Sequence, residues 1–410
     1  AGRPGVVCTI TGPGVTNVAT PVADAYADSI PLLVISSSLP QASKGQYRGE
    51  LHGTKNQFGV MEALAGWSRA VERVEEIPTA LHDAFRVMRS GRPRGAYLEV
   101  PLDLLDVQAE VEIPVCLTEA ADLVQPEQDD IAAAARLLRE AKNPLIVAGA
   151  GVTFAGANEE LLRLAELLQA PVLLGGKSHD VLPSDHPLVI AARGYSPNVL
   201  QSLVEAADVA LVVGSKLGAQ RTGTTVLEGG RLKTVRTSAG SLPLPAQLIH
   251  IDIDPAEIGH YYLASVGIVS DARLALAALL SALSDYARPE ASARVDEVAR
   301  INEALRVRVR RAYGEKVDLL DGLREGLPRD GIVVADMTML GYASAQYFPV
   351  YEPRTFVHPS ELCAIGCGFP LALGAKLAAP NQPVVALCGD GGFLLNSGEL
   401  ATAVQEQIPL

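Results

Sequence analysis

The sequence predicts an α/β protein of three doubly wound, parallel-sheet domains in series, with the first and the last incomplete. The main observation is a set of short apolar runs that do not alternate with polar residues, such as 31–36, 144–148, 209–213 and 383–387. Such runs are typical of strands that are buried on both faces. Amphipathic stretches such as residues 77–90 and 158–168 lie between the runs and predict helices. Repeated strand–helix units favour parallel sheets that are covered by helices on both sides.

Changes in composition predict the domain boundaries. We expect a first domain over residues 1–105, a linker over 106–129, a central domain over 130–284, a helical linker over 285–317 and a last domain over 318–410. Acidic residues and prolines accumulate in the first linker, and alternating charges in the second predict a solvated helix between domains. Between residues 217 and 244 we expect a long functional or mobile loop. A strand starts at about residue 6 and the last residues read as a helix leading to another strand, so we expect both ends to be cut inside folded domains.

The bulk composition argues against several classes of partner. The 410 residues are 48% hydrophobic and 20% charged, which is ordinary for a globular protein of two or three domains. A formal net charge of −13 disfavours nucleic acid and anionic membrane surfaces. No apolar run approaches the length of a membrane span, and nothing at the start resembles a signal peptide. We therefore expect a cytoplasmic protein.

The most informative motif is Gly389-Asp390-Gly391-Gly392, which directly follows an apolar run. Its pattern predicts a buried strand, a tight turn and the start of a helix. Glycines let backbone N–H groups approach an anion closely, and a helix N-terminus favours negative charge. A carboxylate in that turn can hold Mg²⁺ against a phosphate. By itself the motif fits equally well a plain strand-to-helix loop with a helix-capping Asp390.

A second glycine-rich loop follows the first strand of the central domain. Gly149 and Gly151 begin a dinucleotide-binding pattern, but Phe154 occupies the third glycine position. No acidic residue stands at the distance expected for a ribose contact, so the pattern disfavours NAD binding.

Six motifs in order resemble the thiamine-diphosphate-dependent decarboxylases and carboligases typified by acetolactate synthase, benzoylformate decarboxylase and pyruvate oxidase. Each is a weak signal alone, but their shared order covers the whole chain. The motifs are Gly12-Pro13-Gly14-Val15-Thr16-Asn17, Ser90-Gly91-Arg92-Pro93-Arg94-Gly95, Leu182-Pro183-Ser184-Asp185-His186-Pro187, Ile251-Asp252-Ile253-Asp254-Pro255, Gly366-Cys367-Gly368-Phe369-Pro370 and Gly389-Asp390-Gly391.

The resemblance implies thiamine diphosphate and Mg²⁺ as cofactors, with a 2-oxo acid as substrate. It implies a homodimer or homotetramer whose active sites lie between the first domain of one subunit and the last domain of another. The implied cofactor-binding residues are Asp390 as Mg²⁺ ligand, Gly391 and Gly392 as N–H donors to the diphosphate, Ile365 as the apolar wedge between the cofactor rings, Cys363 through its backbone at the pyrimidine, and Asn17 and Thr11 on the pyrimidine side.

Two parts of the family's site lie outside these residues in the family pattern. The glutamate that activates the cofactor falls upstream of residue 1, so no catalytic residue is assigned. The asparagine that completes the Mg²⁺ site falls downstream, since Asn396 comes too soon after Asp390 and is expected to act in the first turns of the helix. We therefore expect the 410 residues alone to be inactive.

Departures from biosynthetic acetolactate synthase leave the reaction open. Leu102 stands where that enzyme has Lys, Arg221 is one place out of register with its acidic-arginine motif, and Met339-Leu340 replace its Gln-His pair. These changes argue against bound FAD. Decarboxylation with carboligation, as in acetolactate synthase, is the leading expectation, and release of an aldehyde by a non-oxidative decarboxylase fits about as well. A homologue that has lost catalysis and serves as a binding or regulatory subunit, and an NAD- or CoA-binding α/β protein, are alternatives of other classes.

Overall fold

The structure is a computed structural model that describes residues 2–46, 48–114, 123–191, 196–218, 224–228, 231–235, 242–288 and 292–410. The chain forms two compact units, Ala1–Leu123 with Glu361–Ala364, and Val124–Ser360 with Ile365–Leu410. Among the described residues, no helix has the length and apolar character needed to cross a membrane.

The first unit is a four-stranded parallel sheet in the order β1-β2-β4-β3. Its strands are β1 (Gly5–Thr9), β2 (Leu32–Ser38), β3 (Trp67–Ala70) and β4 (Gly95–Pro101). Its helices are α1 (Pro13–Asp28), α2 (Gln57–Glu62) and α3 (Ile77–Arg89), with 3-10 turns at Gln41–Ser43, Val74–Glu76 and Leu102–Leu104. Leu33 and Leu98 enter one buried cluster while Val34 and Tyr97 enter another, because successive side chains of a strand point to opposite faces.

The second unit contains a six-stranded parallel sheet in the order β12-β11-β8-β5-β6-β7. Its strands are β5 (Pro144–Ala148), β6 (Val172–Leu174), β7 (Val189–Ala191), β8 (Val209–Val213), β11 (Gln247–Asp252) and β12 (Val266–Val269). The helices around it are α4 (Gln128–Glu140), α5 (Gly151–Ala155), α6 (Asn158–Leu168), α7 (Pro197–Ala206) and α8 (Ala272–Ala282). This is the strand order of doubly wound dinucleotide-binding folds. Along β5, Ile146 and Ala148 join one core and Leu145 and Val147 the other, so both faces are covered.

A correction concerns the loop expected between residues 217 and 244. Part of it forms an antiparallel hairpin of β9 (Thr224–Glu228) and β10 (Arg231–Val235). The sequence there is rich in Thr and Gly and has no continuous apolar run, so it carried no strand signal. Residues 219–223, which include Arg221, and residues 229–230 and 236–241 lie outside the described residues.

A three-stranded parallel sheet in the order β14-β13-β15 completes the second unit. Its elements are α9 (Ser292–Tyr313), α10 (Lys316–Gly326), β13 (Ile332–Ala335), α11 (Met339–Tyr347), β14 (Phe356–Val357), α12 (Gly368–Ala378), β15 (Val384–Leu387), α13 (Asp390–Leu395) and α14 (Glu399–Gln405). Ile332 and Val334 face one cluster and Val333 and Ala335 the other. The predicted class of doubly wound parallel sheets in series is therefore confirmed, whereas the exact domain boundaries stay a prediction.

Helix α9 ties the two sheets of the second unit together. Val298 and Ile301 in its first half are buried with the six-stranded sheet, and Val309 and Tyr313 in its last half are buried with the three-stranded sheet. The charges between these positions face solvent or pair with neighbours, as with the Arg310 guanidinium 2.7 Å from Asp318. The alternating charges thus belong to a helix that joins two cores.

Candidate functional site

The carboxyl ends of β13 and β15 form one edge of the three-stranded sheet, because these parallel strands pair from Ile332 with Val384 to Ala335 with Leu387. Each strand is followed by a turn and a helix. Thr338 precedes α11 and Gly389 precedes α13. A Cβ placed on Gly389 would lie 3.1 Å from the Thr338 hydroxyl oxygen, so the two turns are in close contact. Ligands of open parallel sheets bind at this kind of edge.

A buried aspartate, Asp336, connects the turns at this edge. It is 1% exposed and directly follows β13. Its Oδ1 accepts the N–H of Met337 at 2.6 Å and the N–H of Gly366 at 3.1 Å. Its Oδ2 is buried with no hydrogen-bond partner among the described residues. Because a buried carboxylate oxygen without a partner is costly, this atom indicates a site that is built for a further polar group.

Two glycines form the walls around Asp336. A Cβ on Gly392 would lie 2.6 Å from the Asp336 Oδ2, and a Cβ on Gly368 would lie 2.7 Å from the Asp336 Cβ. Any side chain at either position would therefore collide with the carboxylate or its stem. The Gly389–Gly392 turn and the start of α12 can approach Asp336 only because both residues lack a Cβ.

The predicted Mg²⁺ ligand, Asp390, is the exposed first residue of α13. Gly391 is also exposed, and no atom lies within 4 Å of a Cβ placed on it. Gly392, in contrast, is buried against Asp336. Asp390 and Gly391 are therefore accessible from solvent, whereas the N–H of Gly392 lies deeper in the turn.

The predicted wedge residue, Ile365, lies on a turn that two side chains fix. Its side chain is 55% exposed, which is unusual for isoleucine and suits contact with a ligand. The following residue, Gly366, has a left-handed φ of 89°. Its N–H is held by Asp336, and its carbonyl accepts a hydrogen bond of 2.7 Å from the Asn396 amide. Asn396 ends α13 instead of acting in its first turns, which corrects that expectation.

The remaining predicted residues belong to the first unit. Cys363 has a left-handed φ of 62°, an unusual backbone conformation for a residue other than glycine, asparagine or aspartate. Asn17 is exposed near the start of α1. Thr11 is 4% exposed, and its hydroxyl donates to the Gln57 side chain at 2.9 Å. Contact of these three residues with a cofactor stays a prediction.

The residues at the last sheet's edge suit Mg²⁺ held together with a diphosphate. Within the described ranges, no group of three or more His, Cys, Asp or Glu side chains is placed to hold a metal ion by protein ligands alone. Mg²⁺ usually binds through one or two carboxylates together with phosphate oxygens and water. Burial, followed by the negative charge of Asp336, raises the pKa of the neighbouring Cys388 thiol, so that thiol stays protonated. Asp390 is the exposed carboxylate side chain of the turn.

The glycine-rich loop of the central domain is explained by packing. It follows β5, and the loop after the adjacent strand β8 crosses it. A Cβ on Gly149 would lie 2.1 Å from the carbonyl oxygen of Gly214, and a Cβ on Gly151 would lie 2.7 Å from the Gly214 Cα. Backbone of Gly214 therefore fills the space beside these two glycines, which accounts for their lack of a side chain.

Two polar centres of the structure were not predicted as site residues. Asp336 directly follows β13, much as the glycine turn follows β15. Its position after an apolar run was therefore the sequence signal that could have identified it as a site residue. Gln57 reaches Thr11 across 46 residues of sequence, and no local pattern marks that pairing.

Comparison with known proteins covers most of the chain. Three family models match: the N-terminal TPP-binding domain of thiamine pyrophosphate enzymes over residues 1–60, their central domain over 131–279 and their C-terminal TPP-binding domain over 336–410.

The individual relatives are named either as a decarboxylase or as acetolactate synthases. A probable 2-ketoarginine decarboxylase of Pseudomonas aeruginosa is 36% identical over 406 residues, which are 99% of this chain and 69% of the relative. A probable acetolactate synthase large subunit of Methanocaldococcus jannaschii is 31% identical over 427 residues, covering 100% and 69%. The acetolactate synthase isozyme 1 large subunit of Escherichia coli is 28% identical over 414 residues, covering 99% and 69%.

Proposed function

The chain belongs to the thiamine pyrophosphate enzyme family, and from that premise we propose that it acts in the thiamine-diphosphate- and Mg²⁺-dependent decarboxylation of a 2-oxo acid. One observation carries the proposal. The exposed Asp390 and Gly391 stand at the carboxyl edge of the last sheet, beside the turn of Ile365, and the buried Asp336 bonds that turn at Gly366 and packs against Gly392.

Each of these residues has a separable task in the proposed site. Asp390 would hold Mg²⁺, and the N–H groups of Gly391 and Gly392 would bind diphosphate oxygens. Ile365 would support the cofactor rings from its exposed position, since Asp336 and Asn396 fix its turn. Bound thiamine diphosphate supplies the electron sink that accepts the electrons left when CO₂ departs.

Of the two possible outcomes after loss of CO₂, the residues favour release of an aldehyde over carboligation. Met339 and Leu340 open α11 at the site's edge, so this helix turn offers apolar side chains where acetolactate synthase has Gln and His. The relative at 36% identity is named a decarboxylase, which agrees with this fate. Carboligation to an acetolactate-type product is the second candidate, and the synthase relatives at 31% and 28% identity support it.

We also propose that the protein assembles as a homodimer or homotetramer in the cytoplasm and binds no FAD. The absence of FAD is supported by the departures from the acetolactate synthase pattern at Leu102, Arg221 and Met339-Leu340. An absorbance spectrum of the purified protein tests it, because bound flavin absorbs visible light near 450 nm and a flavin-free protein does not.

Calorimetric titration with thiamine diphosphate tests the cofactor site. The wild-type protein should bind it in the presence of Mg²⁺, and Asp390→Asn should weaken that binding at least about 100-fold, since a charge-assisted ligand is lost. Asp330→Asn is the matched control, because Asp330 is an exposed aspartate of the same domain remote from the turn. Its affinity should stay within about twofold of wild type. A wild-type protein that binds no thiamine diphosphate, or an Asp390→Asn variant that keeps Mg²⁺-dependent binding, would overturn the proposal.

Turnover assays on the full-length protein identify the reaction. We expect CO₂ from at least one acid in a panel of pyruvate, benzoylformate, 2-ketoarginine and branched-chain 2-oxo acids. Aldehyde in equal amount to the CO₂ would establish decarboxylation alone, whereas acetolactate in equal amount to the CO₂, formed from two pyruvates, would establish carboligation. Bound cofactor without CO₂ from any acid would instead favour the non-catalytic homologue.

A further inference from the structure

A polar network lies at the carboxyl edge of the first unit's sheet. Ser36 and Ser37 lie near the end of β2, Tyr97 and Glu99 lie in β4, and Gln57 begins α2. Tyr97 and Glu99 are 0% and 3% exposed. Burial, followed by the negative charge of Glu99, raises the pKa of the Tyr97 hydroxyl, so that this hydroxyl stays a hydrogen-bond donor.

The Gln57 amide is at the centre of the network, and its orientation is fixed by its partners. Its Oε1 accepts the Thr11 hydroxyl at 2.9 Å and the Gly12 N–H at 2.7 Å. Its Nε2 donates to the Ser37 carbonyl at 2.9 Å and lies 3.2 Å from the Glu99 Oε2. A flipped amide would place its NH₂ against two donors and its oxygen against a carboxylate, so only one orientation satisfies the neighbours.

An ion pair anchors the far side of the amide. The Lys44 ammonium lies 2.9 Å from Glu99 Oε1, and the Tyr97 hydroxyl donates to Glu99 Oε2 at 3.0 Å. A buried carboxylate is tolerated when it is paired and hydrogen-bonded in this way. Hydrogen bonds thereby link the Lys44–Glu99 ion pair, through the Gln57 side chain, to the backbone N–H of Gly12.

The turn that Gln57 holds is also supported by Ser37, whose hydroxyl oxygen accepts the Thr11 N–H at 3.0 Å. Gly12 has a left-handed φ of 70°, and it precedes α1 without a side-chain cap. A Cβ on Gly12 would lie 2.4 Å from the carbonyl oxygen of His52, so the turn is pressed against the segment that leads to Gln57. Gln57 is therefore a side chain that bonds both Thr11 and Gly12.

We propose that Gln57 is a positioning residue that presents the Thr11–Gly12 turn to the aminopyrimidine ring of thiamine diphosphate, with Glu99 and Lys44 holding its amide in register. This inference rests on the proposed function, since the ring is the part of the cofactor expected at this turn. Gln57 acts on the ligand through the turn and does not take part in the chemistry.

Binding measurements with two probes test the inference. Thiamine diphosphate carries both the pyrimidine and the diphosphate, whereas inorganic pyrophosphate with Mg²⁺ reports on the diphosphate part alone. Gln57→Leu should weaken thiamine diphosphate binding about 10- to 100-fold, because at least two hydrogen bonds to the turn are lost, and should leave pyrophosphate binding unchanged. The Gly12 amide should also exchange faster with solvent in this variant without cofactor. Gln41→Leu is the matched control, since Gln41 is an exposed glutamine of the same unit that bonds the Glu72 carbonyl instead.

A charge exchange provides the second variant. Gln57→Glu alone places a second carboxylate beside Glu99, where the Gln57 Nε2 now lies 3.2 Å from the Glu99 Oε2. The repulsion should weaken thiamine diphosphate binding as strongly as Gln57→Leu does. Gln57→Glu combined with Glu99→Gln restores an acceptor for Thr11 and Gly12 and a donor between the two side chains, so it should recover at least about tenfold in affinity.

The possible outcomes separate the inference from the proposed function. A wild-type protein that binds neither probe refutes the function itself. A wild-type protein that binds thiamine diphosphate, with Gln57→Leu equal to it, refutes the positioning role alone. Equal losses for both probes in Gln57→Leu, or no recovery in the charge exchange, would show a general role in folding and also count against the inference.

Discussion

Two adjacent glycines of the same turn should respond in opposite ways to alanine. In Gly392→Ala the new Cβ would lie 2.6 Å from the Asp336 Oδ2 and 3.2 Å from its Cγ. Non-bonded carbon atoms pack best at about 3.5–4.0 Å, so either the turn or the carboxylate must move. Asp336 cannot simply retreat, because Gly368 closes on its Cβ and its Oδ1 is bonded to Gly366. Overpacking of this kind costs about 1–3 kcal/mol.

Gly391→Ala is the matched control. A Cβ on Gly391 meets no atom within 4 Å, the residue is exposed, and it lies in α13. Alanine is favoured over glycine within a helix by about 0.5–1 kcal/mol. The two variants should therefore differ by roughly 2–4 kcal/mol in the stability of the last domain.

Urea unfolding, with hydrogen exchange of the β13 and β15 amides to assign the transition to the last domain, measures this difference. Both variants keep every backbone N–H of the turn, but Gly392→Ala should lose affinity for thiamine diphosphate because the displaced turn no longer presents these N–H groups in the same positions. A Gly392→Ala protein as stable as wild type would show that Asp336 does not depend on the close approach of this glycine, and the reasoning would be wrong.

Three further changes probe other parts of the molecule. Asn396→Ala removes the 2.7 Å hydrogen bond to Gly366, so it should cost about 1–2 kcal/mol and speed amide exchange over residues 363–367; unchanged exchange would contradict the role of this side chain. Burial raises the pKa of Asp180 from 3.8 to about 6, so the folded state holds this proton more tightly than the unfolded state and stability falls as pH rises from about 4 to 6. Asp180→Asn should then stabilise the protein by about 1–3 kcal/mol at pH 7. It should also flatten the dependence of the unfolding free energy on pH in this range, and an unaltered slope would contradict the role given to Asp180. Gly149→Ala places a Cβ 2.1 Å from the Gly214 carbonyl oxygen and should destabilise the central domain by about 3 kcal/mol in thermal unfolding. An unchanged thermal stability would show that this contact does not explain the glycine.

Strands inside the sheets could be predicted from sequence because both of their faces are buried. The predicted runs 144–148 and 209–213 coincide with β5 and β8, whose residues are buried throughout. The strands that carried no signal in the three parallel sheets are β3, β7, β12 and β14, and each lies at the edge of its sheet. An edge strand has one neighbour and needs fewer apolar residues, so β3 is made of Trp-Ser-Arg-Ala, all half-buried. The pattern that marks a central strand is therefore absent at these four edges, although the edge strands β1 and β15 keep enough of it to be predicted.

The site was predictable to the extent that it is local in sequence. The turn at 389–392 combines a strand end, glycines and a carboxylate within a few residues, and the structure places Asp390 exposed at the start of a helix as expected. Asp336 and Gln57 act across 30 and 45 residues of sequence on Gly366 and Gly12. No spacing rule links such pairs, because their proximity is produced by the fold and not by the local chain.

The meaning of a glycine in this chain depends on what occupies the space beside it. At Gly149 and Gly151 that space is filled by the backbone of Gly214, so a phosphate-binding pattern in the sequence serves to pack two loops. At Gly392 the space is filled by Asp336, and the glycine lets one carboxylate connect two turns. At Gly391 the space is empty and open to solvent. Of these four glycines, Gly391 is thus the one beside open space, which supports placing the proposed diphosphate site at the last sheet rather than at the central one.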